Sequence, residues 1–457
     1  MHFHFIGICG TAMGSAAVAL SRLGHKITGS DAQIYPPMSE VLRAAGIELC
    51  EGYHADNLPH SADCTVVGNA ISRGNAELEA LLERRLPYCS LPELLRREVL
   101  QGKRNFVITG THGKTTTTSL LAWLLHHAGR KPGYLIGGVS ENLPQSAEFS
   151  TSDDFVIEGD EYDTAYFDKR SKFLHYLPDT VVVNNIEFDH ADIFRDLAEI
   201  LLTFQRLLML VPRNGLVLLN GDDANCTGLR SPAPMLKVGL SMGCDVRIEL
   251  LEMGEQSSRF SLNSEVFELP MIGEFNVRNA AMAITAARHA GLSDAEIRSA
   301  LAGFRGVLRR QSVRGEVGGI TVIDDFGHHP TAIAQTLAGM RQRYPGRRLW
   351  AVFEPRSNTS RRKVLQQALI DALACADAAM VADVASPGKV PPGELLDVDQ
   401  VAAAVTAKGS ACQHLAGVEA IVEQLGAQAR QGDVIVVFSN GGFDNIHERL
   451  LAQLAKS

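Results

Sequence analysis

One short segment limits what this chain can fold into more than any other. Residues 105–118, NFVITGTHGKTTTT, join an apolar run to a glycine-containing turn, a lysine and four threonines. This order predicts a β-strand, a phosphate-binding loop and the first turn of a helix. The free N–H groups of such a turn bind anions, while Lys114 adds a positive charge and Thr115 a hydroxyl for Mg²⁺. The segment therefore indicates a site for a nucleoside triphosphate.

The spacing of the glycines differs from that of a standard Walker A motif. The motif needs a glycine at position 108, where this chain has Ile, and the glycines of the loop are Gly110 and Gly113. We interpret the loop as a shortened variant, with Lys114 facing the phosphates rather than the protein interior. The alternative is a glycine turn that caps a helix beside an incidental lysine.

Length and composition narrow the class of protein. The 457 residues exceed one hydrophobic core and suggest about three domains. A net charge of −9 argues against a nucleic-acid partner. No apolar run reaches the roughly 18 residues of a spanning helix, and the first expected strand begins at His2, which leaves no room for a signal peptide. The eight cysteines are scattered without a CxxC motif, as is typical of reduced thiols. We therefore expect a cytoplasmic protein without membrane insertion, and nothing in the sequence indicates an obligatory protein partner.

The N-terminal segment predicts a Rossmann-type domain. Residues 2–31 read as a strand, a glycine turn, a helix and a second strand that ends at Asp31. Cys9 occupies the second glycine position of the dinucleotide fingerprint, so a nicotinamide cofactor is not favoured. A diphosphate at the helix start and a ribose or base at Asp31 are the expected ligands. The expected substrate contacts are Gly10, Thr11, Ala12, Met13, Asp31 and, after a later strand, Asn69.

Polar clusters follow two further predicted strands. The strand at 155–158 runs into Glu158, Asp160, Glu161 and Asp163, which is typical of a Mg²⁺ site beside a phosphate loop. The alternative is a solvated acidic turn. The strand at 180–183 is followed by further polar residues and His190, a candidate for a second metal contact or a substrate contact. Later, Asn276 and Asn279 lie on one face of a helix, where they either cap it or hold a base or ribose.

A basic segment, residues 304–316, is interpreted as a linker to a third α/β unit with strands at 319–323, 348–353, 378–382 and 433–438. The expected domains are therefore 1–102, 103–305 and 306–457. The first strand of the third unit ends in DDFGHHPT (324–331), with Pro330 at the first position of a helix. Two other strands end in EPRSNT (354–359) and SNGGF (439–443).

Together these motifs resemble those of the Mur ligases, ATP-dependent amide-forming enzymes of peptidoglycan assembly. The matching segments lie in family order along the whole chain: GTHGKTT (110–116), EGDEYD (158–163), NNIEFDHAD (184–192), GEFNVRNA (273–280), RR (309–310) and DDFGHHPT (324–331). The resemblance implies an α/β fold of three domains: an N-terminal Rossmann-like UDP-binding domain, a central P-loop ATPase-type domain and a C-terminal Rossmann-like domain.

Within the family, the segments GICGTAMG, SDAQIYPPMS, FDKRSKF, EPRSNT and SNGGF are most similar to those of members that attach L-Ala-γ-D-Glu-meso-diaminopimelate to UDP-N-acetylmuramate in murein recycling. The alternative is the branch that adds L-alanine to the same nucleotide sugar. The implied cofactors are ATP and Mg²⁺, and the implied partners are UDP-N-acetylmuramate and the murein tripeptide.

The resemblance also implies roles for individual residues. Lys114 contacts the β- and γ-phosphates, Thr115 and Glu158 hold one Mg²⁺, and His190 contacts a second. Arg310 bridges phosphate and substrate, Asp325 accepts from the ribose, and His328 and His329 lie near the transferred phosphoryl group. The nucleotide contacts are completed by Gly110, Thr111, His112, Gly113, Thr116, Asn276 and Asn279.

For the incoming peptide, we expect Arg356 to bind a carboxylate through its guanidinium fork. Its alternatives are a helix cap or an ion pair with Glu354. The other expected peptide contacts are Ser357, Asn358, Ser439 and Asn440.

Two positions depart from the family pattern. Phe275 stands where members usually have His, which puts that nucleotide contact in doubt, and Gln205 stands where several members have a carbamylated Lys. The alanine-adding members also lack that Lys, so Gln205 indicates their branch. A nucleotide-dependent regulator and an NAD(P) oxidoreductase are the competing classes. Cys9 argues against the oxidoreductase, and polar clusters at several strand ends argue against the regulator.

Overall fold

The structure is a computed structural model that describes residues 1–456. By its internal contacts the chain forms two compact units. The first comprises Met1–Glu187, Leu197–Ile248 and Arg278–Arg305, and the second comprises Phe188–Asp196, Glu249–Val277 and the described chain from Gly306 onwards. Among residues 1–456, no helix has both the length and the apolar character needed to cross a membrane.

The first unit opens with a five-stranded parallel sheet in the order β3-β2-β1-β4-β5. Its central strand, HFHFI, is buried at every position, as is typical of a parallel strand that is covered on both faces. Two of its five residues are buried histidines. The elements are β1 (His2–Ile6), α1 (Thr11–Arg22), β2 (Lys26–Asp31), α2 (Met38–Ala44), β3 (Glu48–Glu51), β4 (Cys64–Val67), α3 (Ala76–Glu83), β5 (Tyr88–Ser90) and α4 (Leu91–Leu95), which a π-helical turn (Arg96–Leu100) extends.

A second sheet of the first unit carries the predicted phosphate loop at its centre. Its strands, in spatial order β14-β13-β12-β6-β9-β7-β8, are parallel except for β8, and a separate hairpin is formed by β10 and β11. The elements in chain order are β6 (Arg104–Thr109), α5 (Lys114–His127), β7 (Gly133–Leu135), β8 (Ala147–Glu148), β9 (Asp154–Glu158), β10 (Asp163–Ala165), β11 (Asp168–Ser171), β12 (Thr180–Val183), α6 (Leu197–Leu208), β13 (Leu216–Asn220), α7 (Ala224–Thr227), β14 (Met235–Gly239) and the start of β15 (Val246–Met253).

The second unit is built on a six-stranded sheet in the order β18-β19-β23-β20-β21-β22, in which only β18 is antiparallel. Helices cover both faces over two apolar clusters. The helix α9 (Asp294–Ala302) and α8 (Glu274–His289) from Arg278 onwards belong to the first unit. Before its sheet, the second unit has the hairpin strands β16 (Ser258–Leu262) and β17 (Glu265–Leu269) and the first residues of α8. The rest is β18 (Ser312–Val317), β19 (Ile320–Asp325), α10 (Pro330–Arg343), β20 (Leu349–Phe353), α11 (Gln366–Leu373), β21 (Ala378–Ala382), α12 (Val398–Ala407), β22 (Ala411–Leu415), α13 (Gly417–Gln428), β23 (Val434–Phe438) and α14 (Ile446–Leu454).

Short 3₁₀ turns occur at Ala55–Asn57, Lys172–His175, Lys363–Leu365, Pro387–Lys389 and Phe443–Asn445.

The sequence did not predict two strands of the second unit. The segment interpreted as a linker ends in β18, and β22 was not expected at all. Both are edge strands, and none of their residues is fully buried. An edge strand with a solvated face carries no continuous apolar run, which is the signal that identified the central strands.

Candidate active site

The predicted phosphate loop lies between β6 and α5. Gly110 and Gly113 both have a positive φ, +129° and +78°, which favours glycine. A Cβ at Gly113 would lie 2.2 Å from Oδ1 of Asn279. A side chain at position 113 is therefore excluded for two reasons, the positive φ and the close approach of Asn279. Asn279, one of the two asparagines predicted to contact the nucleotide, thus lies against the loop.

Asn185, at the end of β12, holds this loop in shape. Its Oδ1 accepts from the His112 N–H at 2.7 Å, and its Nδ2 donates to the His112 carbonyl at 3.2 Å. Its own carbonyl accepts from the Thr111 N–H at 3.0 Å. The neighbouring Asn184 donates to Thr117 Oγ1 at 3.0 Å. Asn185 thus binds both the N–H and the carbonyl of His112, so the loop is preorganised by the segment that follows β12.

Lys114 forms a buried ion pair with Glu161. The Nζ atom donates to both carboxylate oxygens, and the two side chains are only 14% and 3% exposed. Burial lowers the pKa of Lys114, but attraction by Glu161, Asp160 and Glu158 outweighs it, so the pKa lies above its ordinary value. The expectation that Lys114 faces away from the interior is wrong for this structure, because a carboxylate already compensates the amine inside the protein.

Thr115 and Glu158 are brought together as predicted. Thr115 Oγ1 lies 3.0 Å from one carboxylate oxygen of Glu158, and the Gly137 N–H donates to the other at 2.8 Å. A hydroxyl and a carboxylate beside a phosphate loop are oxygen ligands that suit Mg²⁺. Asp160, by contrast, pairs with Lys172 at 2.5 Å, and Asp163 pairs with Lys169 at 2.6 Å. Within the acidic segment, Glu158 therefore contacts the hydroxyl of Thr115, whereas Asp160 and Asp163 form ion pairs with lysines.

The departure at Gln205 has a structural explanation. Its amide donates to the Arg230 carbonyl at 2.7 Å and accepts from the Arg230 N–H at 3.0 Å. Gln205 thus fastens α6 to the loop before β14, a contact that an amide makes with both of its polar atoms.

The N-terminal substrate contacts lie around the start of α1. Gly10, Thr11 and Ala12 are exposed, whereas Met13 is buried. Asp31 accepts from the Cys9 N–H at 2.8 Å and from the Tyr53 hydroxyl at 3.4 Å. Asn69, half-buried, follows β4 on the same edge of the sheet. No side chain caps the start of α1, so its first N–H groups are available to an anion.

In the second unit, His190 and the histidine pair lie on segments that pack together. His190 is half-buried with φ +54°. Its neighbour Asp189 is buried and lies 3.6 Å from His328 Nε2. Burial raises the pKa of Asp189, but the hydrogen bond and charge of the surrounding histidines hold it well below its usual value. His329 caps α10, because its Nδ1 accepts from the Thr331 N–H at 3.3 Å. The structure thus joins Asp189 to His328 and gives His329 a capping role.

Arg310 and Asp325 lie close together, because Asp325 accepts from the N–H of Gln311, the residue after Arg310. The Arg310 guanidinium lies 4.9 Å from the ring centre of Phe326. Asp325 is buried and its two oxygens accept from the N–H groups of Gly327 and Gln311, at 2.8 and 3.0 Å. Burial raises the pKa of Asp325. Asn276 donates to the Ile272 carbonyl at 2.8 Å, which is not a cap of α8, and its predicted contact with the nucleotide stays a prediction.

The predicted peptide contacts lie around the ends of β20 and β23. Arg356 is exposed, and its guanidinium donates a long hydrogen bond of 3.4 Å to Glu354. A Cβ at Gly441 would lie 2.3 Å from Arg356 Nε, so the absence of a side chain at Gly441 leaves space for the guanidinium. Ser439 donates to Glu354 at 2.5 Å. Asn440 Oδ1 is buried without a partner among the described residues.

Ser357 and Asn358 use their polar groups within the protein. Ser357 Oγ accepts from the Ser360 N–H at 3.0 Å, and Asn358 donates to Asp192 at 2.7 Å. Their predicted contact with a peptide stays a prediction.

Sequence reasoning missed three contacts that shape these sites. Glu161 pairs with Lys114, Asn185 binds the backbone of His112, and Glu354 accepts from Ser439. Each of these residues follows a strand and lies in a motif already recognised, and an ion pair of Glu354 with Arg356 was one of the alternatives considered for that arginine. The partners in the three missed contacts are distant in sequence, and no local pattern identifies them.

Three family models match the chain: "Mur ligase family, catalytic domain" at residues 2–102, "Mur ligase middle domain" at 108–287 and "Mur ligase, glutamate ligase domain" at 309–441. The UDP-N-acetylmuramate–L-alanyl-γ-D-glutamyl-meso-2,6-diaminoheptandioate ligase of Escherichia coli (strain K12) is 43% identical, over 100% of this chain and 99% of the relative. A UDP-N-acetylmuramate–L-alanine ligase of Burkholderia pseudomallei (strain 668) is 33% identical, over 98% of this chain and 97% of the relative. The crystal structure of a murein peptide ligase from Psychrobacter arcticus 273-4 superposes with a TM-score of 0.75 at 38% identity and covers 100% of this chain and 99% of that one.

Proposed function

The chain belongs to the Mur ligase family, and from that premise we infer that it is an ATP-dependent ligase that joins L-Ala-γ-D-Glu-meso-diaminopimelate to UDP-N-acetylmuramate in peptidoglycan recycling. The observation that carries this inference is the 43% identity to the tripeptide-adding E. coli enzyme over the full length of both chains. The alanine-adding relative is more distant, at 33%. The predicted tripeptide branch of the family is therefore preferred over the alanine branch.

The reaction needs an activated carboxylate. A carboxylate does not react with an amine in water near neutral pH, because oxide is a very poor leaving group. Transfer of the γ-phosphoryl group of ATP to the lactyl carboxylate gives an acyl phosphate and ADP. The L-Ala amine then attacks the carbonyl carbon, the C–O bond to phosphate breaks, and an amide, phosphate and a proton result. No covalent link to the protein is needed.

The protein's part in this reaction is to position groups and to neutralise charge. The phosphoryl group in transfer spreads negative charge over its oxygens. Lys114 and the N–H groups of the loop from Gly110 to Thr116 donate to such oxygens, and Arg310 adds a second cation. Thr115 and Glu158 have the oxygen atoms to hold Mg²⁺, which would supply further positive charge at the phosphates. We assign a second Mg²⁺ contact to His190.

The remaining assignments follow the family. We place the domains at residues 1–102, 103–305 and 306–457, with UDP-N-acetylmuramate at the first strand ends and at Asp31. Asn276, Asn279 and Asp325 are assigned to the nucleotide, His328 and His329 to the transferred phosphoryl group, and Arg356 to the peptide. We place the reaction in the cytoplasm, where ATP and nucleotide sugars are available and cysteines stay reduced. All eight cysteines are free thiols in the structure.

The test is phosphate release by the purified protein. The expected result is release that requires ATP, UDP-N-acetylmuramate and the tripeptide together, with the amide product identified by mass spectrometry. The tripeptide and L-alanine are then offered at equal concentration. A preference for L-alanine would replace this function by that of the alanine branch, and release without any amine would exclude a ligase.

A further inference from the structure

Arg361 of the second unit is an incompletely satisfied cation. Its Nε atom is buried and has no hydrogen-bond partner among the described residues. The buried Nε atom of the adjacent Arg362 also lacks a partner, but the guanidinium of Arg362 is held by Glu394 at 2.6 Å, and that of Arg356 lies 3.4 Å from Glu354. A buried donor without an acceptor lowers the stability of the folded protein, so such a group calls for an explanation. An anion that arrives with the substrate would supply such a reason.

The turn that carries Arg361 is fixed in place. The Arg361 N–H donates to the Ser357 carbonyl at 3.1 Å, and its own carbonyl accepts from the Leu396 N–H at 2.8 Å. Thr359 accepts from the Ala191 N–H at 3.1 Å, and Asn358 donates to Asp192 at 2.7 Å. The turn is therefore tied to the segment that begins with Asp189 and His190. Arg361 is thus held beside a predicted part of the active site, at the end of the strand assigned to peptide binding.

The charges around Arg361 leave room for an anion. Burial and the nearby Arg356 cation lower the pKa of Arg361, against the opposing attraction of Asp192 and Glu354. Both of those carboxylates have other donors, since Asp192 accepts from Asn358 and Glu354 accepts from Ser439. The guanidinium is therefore attracted by two acidic groups, but its buried Nε donates to neither.

The proposed substrate has carboxylates to spare. In L-Ala-γ-D-Glu-meso-diaminopimelate the glutamyl residue is linked through its γ-carbon, which leaves its α-carboxylate free. The diaminopimelate residue keeps two more carboxylates, so the peptide carries three in all. The guanidinium of Arg356 can bind only one of these carboxylates through two parallel hydrogen bonds.

We propose that Arg361 binds a second carboxylate of the incoming peptide, so that the turn from Arg356 to Arg361 grips the peptide at two points. This inference rests on the proposed function and adds a specificity residue to it. It gives the buried Nε of Arg361 an acceptor that the described residues do not supply. It also accounts for discrimination against L-alanine, which has one carboxylate and cannot reach both arginines.

A phosphate of ATP is the other anion that could bind Arg361. The KM values for the tripeptide and for ATP distinguish these two possibilities. Arg361→Gln keeps the length and polarity of the side chain but removes its charge. We expect a 10- to 100-fold rise in KM for the tripeptide, in line with about 1.5–3 kcal/mol for a hydrogen bond to a charged group. KM for ATP and for UDP-N-acetylmuramate should stay within twofold. Arg361→Lys should recover part of the affinity. The control is Arg449→Gln, which removes a cation paired with the exposed Glu419 on the helices α13 and α14.

Tripeptides with one carboxylate converted to an amide identify the partner of Arg361. For the unaltered protein, one of the three amides should bind about as weakly as the tripeptide binds to Arg361→Gln. In Arg361→Gln, that same amide should cause no further loss. An unchanged tripeptide KM, or a rise in KM for ATP instead, would overturn the inference while leaving the ligase function intact. If the unaltered protein does not ligate the tripeptide, both fail. A fall in the melting temperature of Arg361→Gln with unchanged tripeptide affinity would make Arg361 a structural residue.

Discussion

Glu161 holds the amine of Lys114 between its two carboxylate oxygens, at 2.9 and 2.8 Å, in a setting that is almost closed to solvent. The lysine that should meet the phosphates of ATP is thus already neutralised. Removal of one partner of a buried ion pair leaves an uncompensated charge, which costs about 3–5 kcal/mol.

Lys114→Ala should therefore lose stability as well as activity. We expect ligation to fall 10²- to 10³-fold, which corresponds to about 3–4 kcal/mol for one donor to a developing charge. The unfolding free energy, from urea titration, should fall by about 3–5 kcal/mol. The double variant Lys114→Ala with Glu161→Gln should regain most of this stability but none of the activity. If Lys114→Ala is as stable as the unaltered protein, Lys114 and Glu161 do not form a buried ion pair.

Thr115 and Glu158 should control the dependence on Mg²⁺. Thr115→Val keeps the shape of the side chain but removes the hydroxyl that lies 3.0 Å from Glu158. We expect a higher Mg²⁺ concentration for half-maximal activity and at least a tenfold lower maximal rate. Thr115→Ser, which keeps the hydroxyl, should behave like the unaltered protein. An identical Mg²⁺ titration for the Val and Ser variants would remove Thr115 from the metal site.

Asn185 should matter for nucleotide affinity although it carries no charge. Asn185→Ala removes both hydrogen bonds to the His112 peptide and frees the loop. Two hydrogen bonds at about 0.5–1.5 kcal/mol each predict that ATP affinity falls roughly 5- to 100-fold. Calorimetry with a non-hydrolysable ATP analogue measures this. UDP-N-acetylmuramate affinity serves as the control and should not change. Equal ATP affinity in both proteins would show that the loop keeps its shape without Asn185.

His414, on β22, lies between two carboxylates and should make stability depend on pH. Its ring nitrogens lie 2.8 Å from Asp399 and 2.8 Å from Asp383. Burial lowers its pKa, but the hydrogen bonds and charges of Asp399 and Asp383 outweigh this, so the pKa of His414 is raised. The folded protein therefore binds the proton more tightly than the unfolded chain, whose histidine pKa is about 6.5.

It follows that this contribution is complete below pH 6.5 or so and is lost as the pH rises through the higher folded pKa. His414→Gln should lower the melting temperature more at pH 5.5 than at pH 9. The loss should be small, because both carboxylates are largely exposed to solvent. Exposed His60→Gln is a suitable control. A larger loss at pH 9 than at pH 5.5 would mean that the imidazole is neutral in the folded protein.

The sequence by itself determined the α/β class, the position of the phosphate loop and the central strands of the sheets. These features depend on residues that are neighbours along the chain. The strand before the loop, Gly113, Lys114 and Thr115 form one continuous pattern, and buried parallel strands read as apolar runs. The resemblance to the Mur ligases also implied that Thr115 and Glu158 lie together, and the two side chains are 3.0 Å apart in the structure.

Only the tertiary structure decided which groups compensate one another. Lys114 and Glu161 are 47 positions apart, and Asn185 and His112 are 73 apart. The sequence predicted a Lys114 that faces away from the interior because a motif describes its ligand but not its neighbours. Likewise, Arg356 and Arg361 both occur in a basic, polar turn, and nothing local distinguishes them. Whether a charged group finds a partner depends on the order of strands in the sheet and on competition among nearby donors and acceptors, and only the folded chain brings those groups together.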